Sequence, residues 1–196
     1  EEGIKMTNYW PEGRLINTVQ NRNLCQSVSG LLEAMRTKTI LEARAVVCTQ
    51  EHDLIVDLGF CQGRIPRCEG AIGICDGSTR DIALLSRVNK PVCFLVEHLE
   101  QNPDGSITPI LSRRQAQLLC RKELLSTLRP GDIIPARVTH LEPFGCFVDI
   151  GCGIPSLIPI DCISVSRIAH PGDRFRPGQD IRAIVTGIEE NFRIRY

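Results

Sequence analysis

Aromatic side chains are scarce: six phenylalanines, two tyrosines and one tryptophan make up 5% of the 196 residues. That excludes a broad surface for stacking planar rings, so any stacking must rest on a few positions. Net charge is missing too, with 23 basic against 23 acidic residues. A strong, non-specific polyanion binder gains affinity by releasing counterions and carries a basic excess. This chain would hold a polyanion only through a local patch of modest affinity. There is no CxxC pair among the ten cysteines, and Cys61, Cys68 and Cys75 recur at a spacing that fits no usual zinc framework. No apolar run is long enough to span a bilayer and no secretory signal is present. A cytoplasmic protein is therefore the expectation, its cysteines free thiols packed as small apolar residues. A phosphate loop and a GxGxxG are lacking as well. His52, His98, His140 and His170 have no nucleophile or carboxylate at a telling spacing, so the chain reads as non-enzymatic and without cofactor or metal.

What is present is clearest over residues 130–196. Ile133–Leu141 alternates, with Ile134, Ala136 and Val138 apolar, the period of a half-buried strand. Glu142-Pro143 turns the chain, and Phe144–Ile150 reads as a second strand in which Gly145 could host a bulge, leaning Phe144 and Phe147 to one face. Ile154–Ile160 gives a short third strand. Gln179–Gly187 and Phe192–Tyr196 form a last hairpin turning at Glu189-Glu190-Asn191. The order PGD, FGCFVDIG, PGQDIRAIV and FRIRY resembles the S1 RNA-binding domain family, whose oligonucleotide-binding barrels lay RNA across strands two and three and stack bases on aromatics there. The resemblance extends to bacterial ribosomal members of the family. By position it implies Phe144 and Phe147 as the stacking pair, Glu189 as an acidic contact and Arg193 as a late basic contact. Leu157 lies on the third strand of that face. His140, Arg137, Arg182 and Arg195 flank it as further contacts. Pro159 stands where many members carry histidine, and Phe192 replaces a usual glycine.

Residues 39–115 read as a degenerate copy of the same barrel. Leu54–Gly59 lies over Cys146–Gly151, and Gly63–Pro66 over Ser156–Pro159. Ile40–Thr49, Lys90–Leu99 and Ile107–Ser112 supply its remaining strands. Ile55 replaces the stacking phenylalanine, while Arg64 sits where some family members carry an aromatic and could meet a base or phosphate. Ahead of it lies an arm over residues 1–38. The arm is weakly patterned to residue 26, pinned through Trp10, then helical over 27–38 with Ser27 as N-cap and Leu31, Leu32 and Met35 on one apolar face. Residues 116–129 are the linker, part of a helix over 113–128. Ala116, Leu119, Cys120 and Leu124 recur at helical spacing, and Arg113, Arg114, Arg121 and Lys122 line a basic side. That side is either solvated or an RNA path.

The expected architecture is thus mainly β: two tandem five-stranded oligonucleotide-binding barrels, a helical arm and a helical linker. The resemblance implies single-stranded RNA or mRNA as partner, with the ribosome nearby, in translation or mRNA handling, and no membrane or small-molecule substrate. The chain reads either as a trimmed segment or as part of a longer protein. Two other readings stay open: an interaction module docking on the ribosome or another complex, and the accessory RNA-binding part of a ribonuclease.

Overall fold

The computed structural model describes residues 8–188 and 194–195. It divides into two compact units, Glu12–Leu119 and a second made of Glu1–Pro11 with Cys120–Tyr196. Helix α4 (Arg113–Thr127) carries the chain from one into the other.

The unit Glu12–Leu119 begins with two helices, α1 (Val19–Cys25) and α2 (Val28–Thr37). Five strands follow: β1 (Leu41–Cys48), β2 (Leu54–Asp57), β3 (Gln62–Ile65), β4 (Pro91–Gln101) and β5 (Ile107–Ser112), with the one-turn α3 (Ile82–Leu85) between β3 and β4. They close into a barrel in the order β1-β2-β3-β5-β4, with β3 and β5 parallel and the other pairs antiparallel. This is the Greek-key order of an oligonucleotide-binding barrel. Leu41, Leu54, Ile65, Phe94 and Leu111 fill it, and α2 packs Leu31 and Ala34 onto the same core. Ser27 caps α2 by accepting from Gly30 N at 3.1 Å. Leu32, expected on the apolar face, is instead 43% exposed, because the face centres on Leu31 and Ala34. Helix α1 had no signal in the sequence. At seven residues it is too short to stand alone, and it is held by Asn21, whose side chain donates to Glu42 O at 2.9 Å and accepts from Glu42 N at 2.7 Å.

Two expectations fail in this unit. Cys68 and Cys75 are bonded, not free, because the turn after β3 doubles back and brings their Cα atoms to 5.1 Å; the other eight cysteines are thiols. The first turn of the basic side of α4 is also not a free surface. Arg113 is buried on Glu12, with Nη2 to Oε1 at 2.6 Å and Nε to Oε2 at 3.0 Å, and donates to Gly70 O. Arg114 pairs with Glu69 at 2.8 Å.

Glu12 also accepts from Cys93 N, and Arg87 approaches it at 3.6 Å. Burial alone would raise its pKa, but the two guanidinium groups outweigh that and hold it at about 2. Glu42 lies nearby on β1 and accepts from the amides of Gly13, Leu15 and Ile16 through one oxygen. Its other oxygen is buried with no partner, and burial together with the Glu12 charge pushes its pKa up to about 7. The signs are opposite. Glu12 contributes stability that is present above its ordinary value of 4.5 and lost as pH falls toward 2. Glu42 contributes stability that is present below 4.5 and lost as pH rises through about 7. The melting temperature of this unit should therefore fall between pH 5 and about 7.5. Glu42→Gln should flatten that limb in a pH series of thermal melts; an unchanged limb would mean that Glu42 is ionised throughout.

In the second unit, β6 (Ile133–Glu142), β7 (Gly145–Asp149) and β8 (Pro155–Pro159) form a meander, followed by β9 (Asp180–Ile184), β10 (Gly187–Ile188) and β11 (Ile194–Arg195). Ile134, Ala136 and Val138 point into the core, together with Cys146, Val148 and Ile158. The expected second closed barrel is met by a six-stranded sheet, β10-β11-β8-β7-β6-β9. The strand expected over 179–187 breaks at Val185-Thr186, because Val185 pairs with the turn before β6, accepting from Gly131 N and donating to Asp132 O. Its halves β9 and β10 consequently lie on opposite edges of the sheet. None of the described helices is long and apolar enough to cross a membrane.

Candidate nucleic-acid interface

The outer face of β6, β7 and β8 carries one continuous ladder row. His140 pairs with Phe147, Phe147 with Leu157, and Leu157 with Arg195 of β11. The strand period puts Phe147 opposite in sense to the buried Cys146 and Val148, hence outward. His140 needs a further device. In β6 the inward set is Ile134, Ala136 and Val138, so an unbroken strand would turn residue 140 inward as well. A bulge between Val138 and His140 adds one residue, Thr139, and both Thr139 and His140 face solvent. The expected bulge at Gly145 is therefore corrected to Thr139. Gly145 serves a close approach instead: a Cβ there would lie 2.4 Å from Ile158 O. That contact lets Phe144 O accept from Ile160 N at 2.9 Å and sets Phe144 on the turn, 55% exposed.

Three rings gather as a result. Phe144 and Phe147 meet edge to face, 6.2 Å between centroids at 87°, and His140 lies 6.3 Å from Phe147 at 31°. Phe147 and Leu157 are half-buried, so each offers one side to solvent. The His140 ring is held by Glu142, Nε2 to Oε1 at 2.6 Å. Beneath the face, burial pushes the Cys146 thiol up to about 11, so it stays protonated and inert.

The remaining proposed contacts are scattered. Arg137 is one row away and bidentate on Asp180, at 2.8 and 3.2 Å. Arg182 is exposed on β9 opposite Pro135. Pro135 and His140 are five residues apart on β6, so Arg182 stands on the order of 13 Å along the strands from the row. Glu189 and Arg193 lie outside the described residues, and only the backbone pairing of Arg195 is described. Pro159 pairs with Gly145 in the neighbouring row. Asp149 serves the fold, its Oδ1 accepting from Gly151 N and Gly153 N. Among the described residues no group of three or more His, Cys, Asp or Glu could hold a metal ion.

Arg64 belongs to the other unit. There the equivalent row is Val47, Ile55, Arg64 and Ile110. Its register matches the sequence repeat, Ile55 standing for Phe147 and Arg64 for Leu157, and β1 carries the same bulge between Ala45 and Val47. Arg64 is engaged by Asp53 and Glu100, both at 3.4 Å. This row has no aromatic ring and no unpaired cation. Sequence reasoning could not see the Thr139 bulge, because Thr139 is itself a good strand former and no glycine marks the step.

Residues 127–195 match the S1 RNA binding domain family. Over 168 residues the chain is 30% identical to the small ribosomal subunit protein bS1 homolog of Bacillus subtilis, covering 84% of this chain and 41% of that protein. It is 28% identical over 192 residues to small ribosomal subunit protein bS1 of Mycobacterium tuberculosis strain H37Rv, covering 96% and 37%. A shorter match to bS1 of Synechococcus elongatus is 41% identical over 80 residues, covering 41% and 26%. The chain spans less than half the length of these relatives. The chain is thus similar to the S1 RNA binding domain family over residues 127–195 and, over most of its length, to small ribosomal subunit proteins named bS1.

Proposed function

We propose that the chain binds single-stranded RNA in the cytoplasm, in translation or mRNA handling, through the stacking row on β6, β7 and β8. The observation that carries this reading is the alignment of His140, Phe147 and Leu157 in one row with Phe144 beside it. Three adjacent, partly exposed rings and a flat aliphatic side chain suit stacked bases, which every nucleotide can supply. The S1 match and the bS1 relatives support the same class of ligand and make the ribosome a reasonable partner. We read the two units as tandem oligonucleotide-binding barrels, the second completed through Val185-Thr186. On this reading residues 1–38 are an arm, 39–115 and 130–196 the barrels, and 116–129 the link. Catalysis plays no part. Glu189 and Arg193 contribute by family position, and Arg182 as a distant phosphate contact. The first barrel supports the chain or faces protein, because its row offers Ile55 and a paired Arg64 in place of rings.

Titration with labelled RNA homopolymers over a salt series tests this. With three or four phosphates neutralised, the logarithm of the binding constant should fall with a slope of about −2 to −3 against the logarithm of salt concentration. A slope of about −7 would demand a far larger basic surface and would sink the single-row reading. Absence of RNA binding would favour a docking module.

A further inference from the structure

The connection from β8 to β9 carries three arginines that the stacking row does not use: Arg167, Arg174 and Arg176. All three are exposed, and their side chains make no hydrogen bond or ion pair with any described residue. Two of them are placed with care. Pro171–Asp173 forms a short 3-10 turn, with Pro171 buried. His170 Nδ1 accepts from Gly172 N at 3.0 Å, and the Asp173 carboxylate accepts from Ala169 N and His170 N at 3.2 and 3.3 Å. That acid is therefore committed to the amides of its own turn. The turn sits against β6: a Cβ on Gly172 would be 3.9 Å from Leu141 Cδ1. Further on, Gly178 N donates to Val138 O at 2.7 Å and Gln179 O accepts from Val138 N at 2.9 Å. Gln179 closes the intervening turn by accepting from Arg176 N at 3.0 Å.

The two anchors on β6, Leu141 and Val138, lie on either side of His140. The segment between them, Arg174 to Pro177, is thereby held along the β6 edge where the row Leu157–Phe147–His140 runs out. Arg174 and Arg176 stand on either side of the half-buried Phe175, and residues 172–179 line an open depression of about 620 Å³. The nearby acids are Glu142, bound to His140, Asp173, bound to its turn, and Asp180, bound to Arg137. The arginines are the charges left unanswered there.

We infer that Arg174 and Arg176 form a phosphate-binding extension of the row, receiving the sugar-phosphate backbone of a single-stranded RNA as it passes beyond His140. This rests on the RNA-binding reading above. Guanidinium forks suit phosphate oxygens, and each phosphate neutralised adds about 0.7 to the salt slope on a single strand. The row takes the bases and the edge takes the backbone, so the arginines should matter only for strands long enough to reach them.

The test uses the full chain with labelled oligouridylates of four and twelve nucleotides. Arg174→Ala/Arg176→Ala should weaken the 12-mer on the order of tenfold at 0.1 M salt and make its slope shallower by about 1.4. The 4-mer should be unaffected and the melting temperature unchanged. Arg174→Lys/Arg176→Lys should restore most of the slope, because an ammonium still neutralises a phosphate. An unchanged 12-mer affinity and slope would overturn the inference; so would equal losses on both lengths, which would place the arginines within the row. Phe147→Ala is the separate arm. If it weakens both oligomers while the alanine pair weakens neither, the extension fails and the row stands. If wild-type protein binds neither oligomer, the row fails and the extension falls with it.

Discussion

Phe147→Ala should weaken single-stranded RNA binding by ~1–3 kcal/mol, the usual worth of one base–aromatic stack. It should do so in a protein that still folds. Phe147 points out of the sheet, is half-buried, and meets Phe144 and His140 at ring distances of 6.2 and 6.3 Å. Its removal opens a surface and not a core cavity. Were the ring a core element, the same change would cost ~3–5 kcal/mol of stability and the binding loss would merely follow unfolding. The molecule supplies its own control in Ile55, which holds the equivalent register position in the first barrel, opposite Arg64. An isoleucine has no π-face, so Ile55→Ala should leave RNA affinity nearly unchanged whatever it does to the melt. Melting temperature and RNA affinity measured on both variants decide between the possibilities. Equal affinity losses would refute the claim that only the second unit stacks bases. Wild-type affinity in a folded Phe147→Ala protein would turn the reading toward docking on a protein partner.

The largest effect on stability is expected at Glu12. Glu12→Ala removes the carboxylate that Arg113 grips with two bonds and leaves a guanidinium only 5% exposed without its counter-charge. Breaking a buried pair from one side costs about 3–5 kcal/mol. The orphaned Cys93 amide adds to the loss, and Arg87 already has one buried nitrogen without a partner. Urea unfolding of the unit Glu12–Leu119 within the full chain would measure it. Glu12→Met/Arg113→Met should cost less than the sum of the two single changes, because it removes both charges together. Additive losses would show that the two groups are not coupled. The acid limb of the stability curve should also become shallower in the single variant, since the depressed pKa of Glu12 contributes to it.

The strands other than the one broken at Val185-Thr186, the helix α2 and the repeat were legible because each is written in local sequence pattern. Ile134, Ala136 and Val138 alternate, Ser27 announces a cap, and Leu54–Gly59 can be laid over Cys146–Gly151 without a gap. The S1 resemblance assigned the two phenylalanines by position; their rings do meet at 6.2 Å, and their stacking of bases is the proposal. Glu12 and Arg113 could not be found, because they are 101 residues apart and nothing near either one marks burial. Arg113 was consequently assigned to a solvated or RNA-facing side of α4. The place of the bulge was hidden as well. A glycine is the usual signal, and Gly145 carried it, while the added residue is Thr139, a good strand former. The disulfide depended on how the turn after β3 folds back, which spacing alone does not determine. The placement of Arg174 and Arg176 along β6 went unnoticed because it depends on anchors at Leu141 and Val138, far away in sequence.

The shared bulge has an engineering consequence. Because β1 and β6 shift register at the same step, the two outer faces present matching side-chain lattices. Val47, 49% exposed, occupies the His140 site, and Ile55 the Phe147 site. The barrel of β1 to β5 is therefore a template onto which the row of β6 and β7 can be copied: Val47→His and Ile55→Phe transplant two rings without altering any strand length. On the proposed RNA-binding reading, a successful graft would turn one foothold into two. The affinity for a long strand would then be governed by effective concentration between two footholds and no longer by the quality of either one.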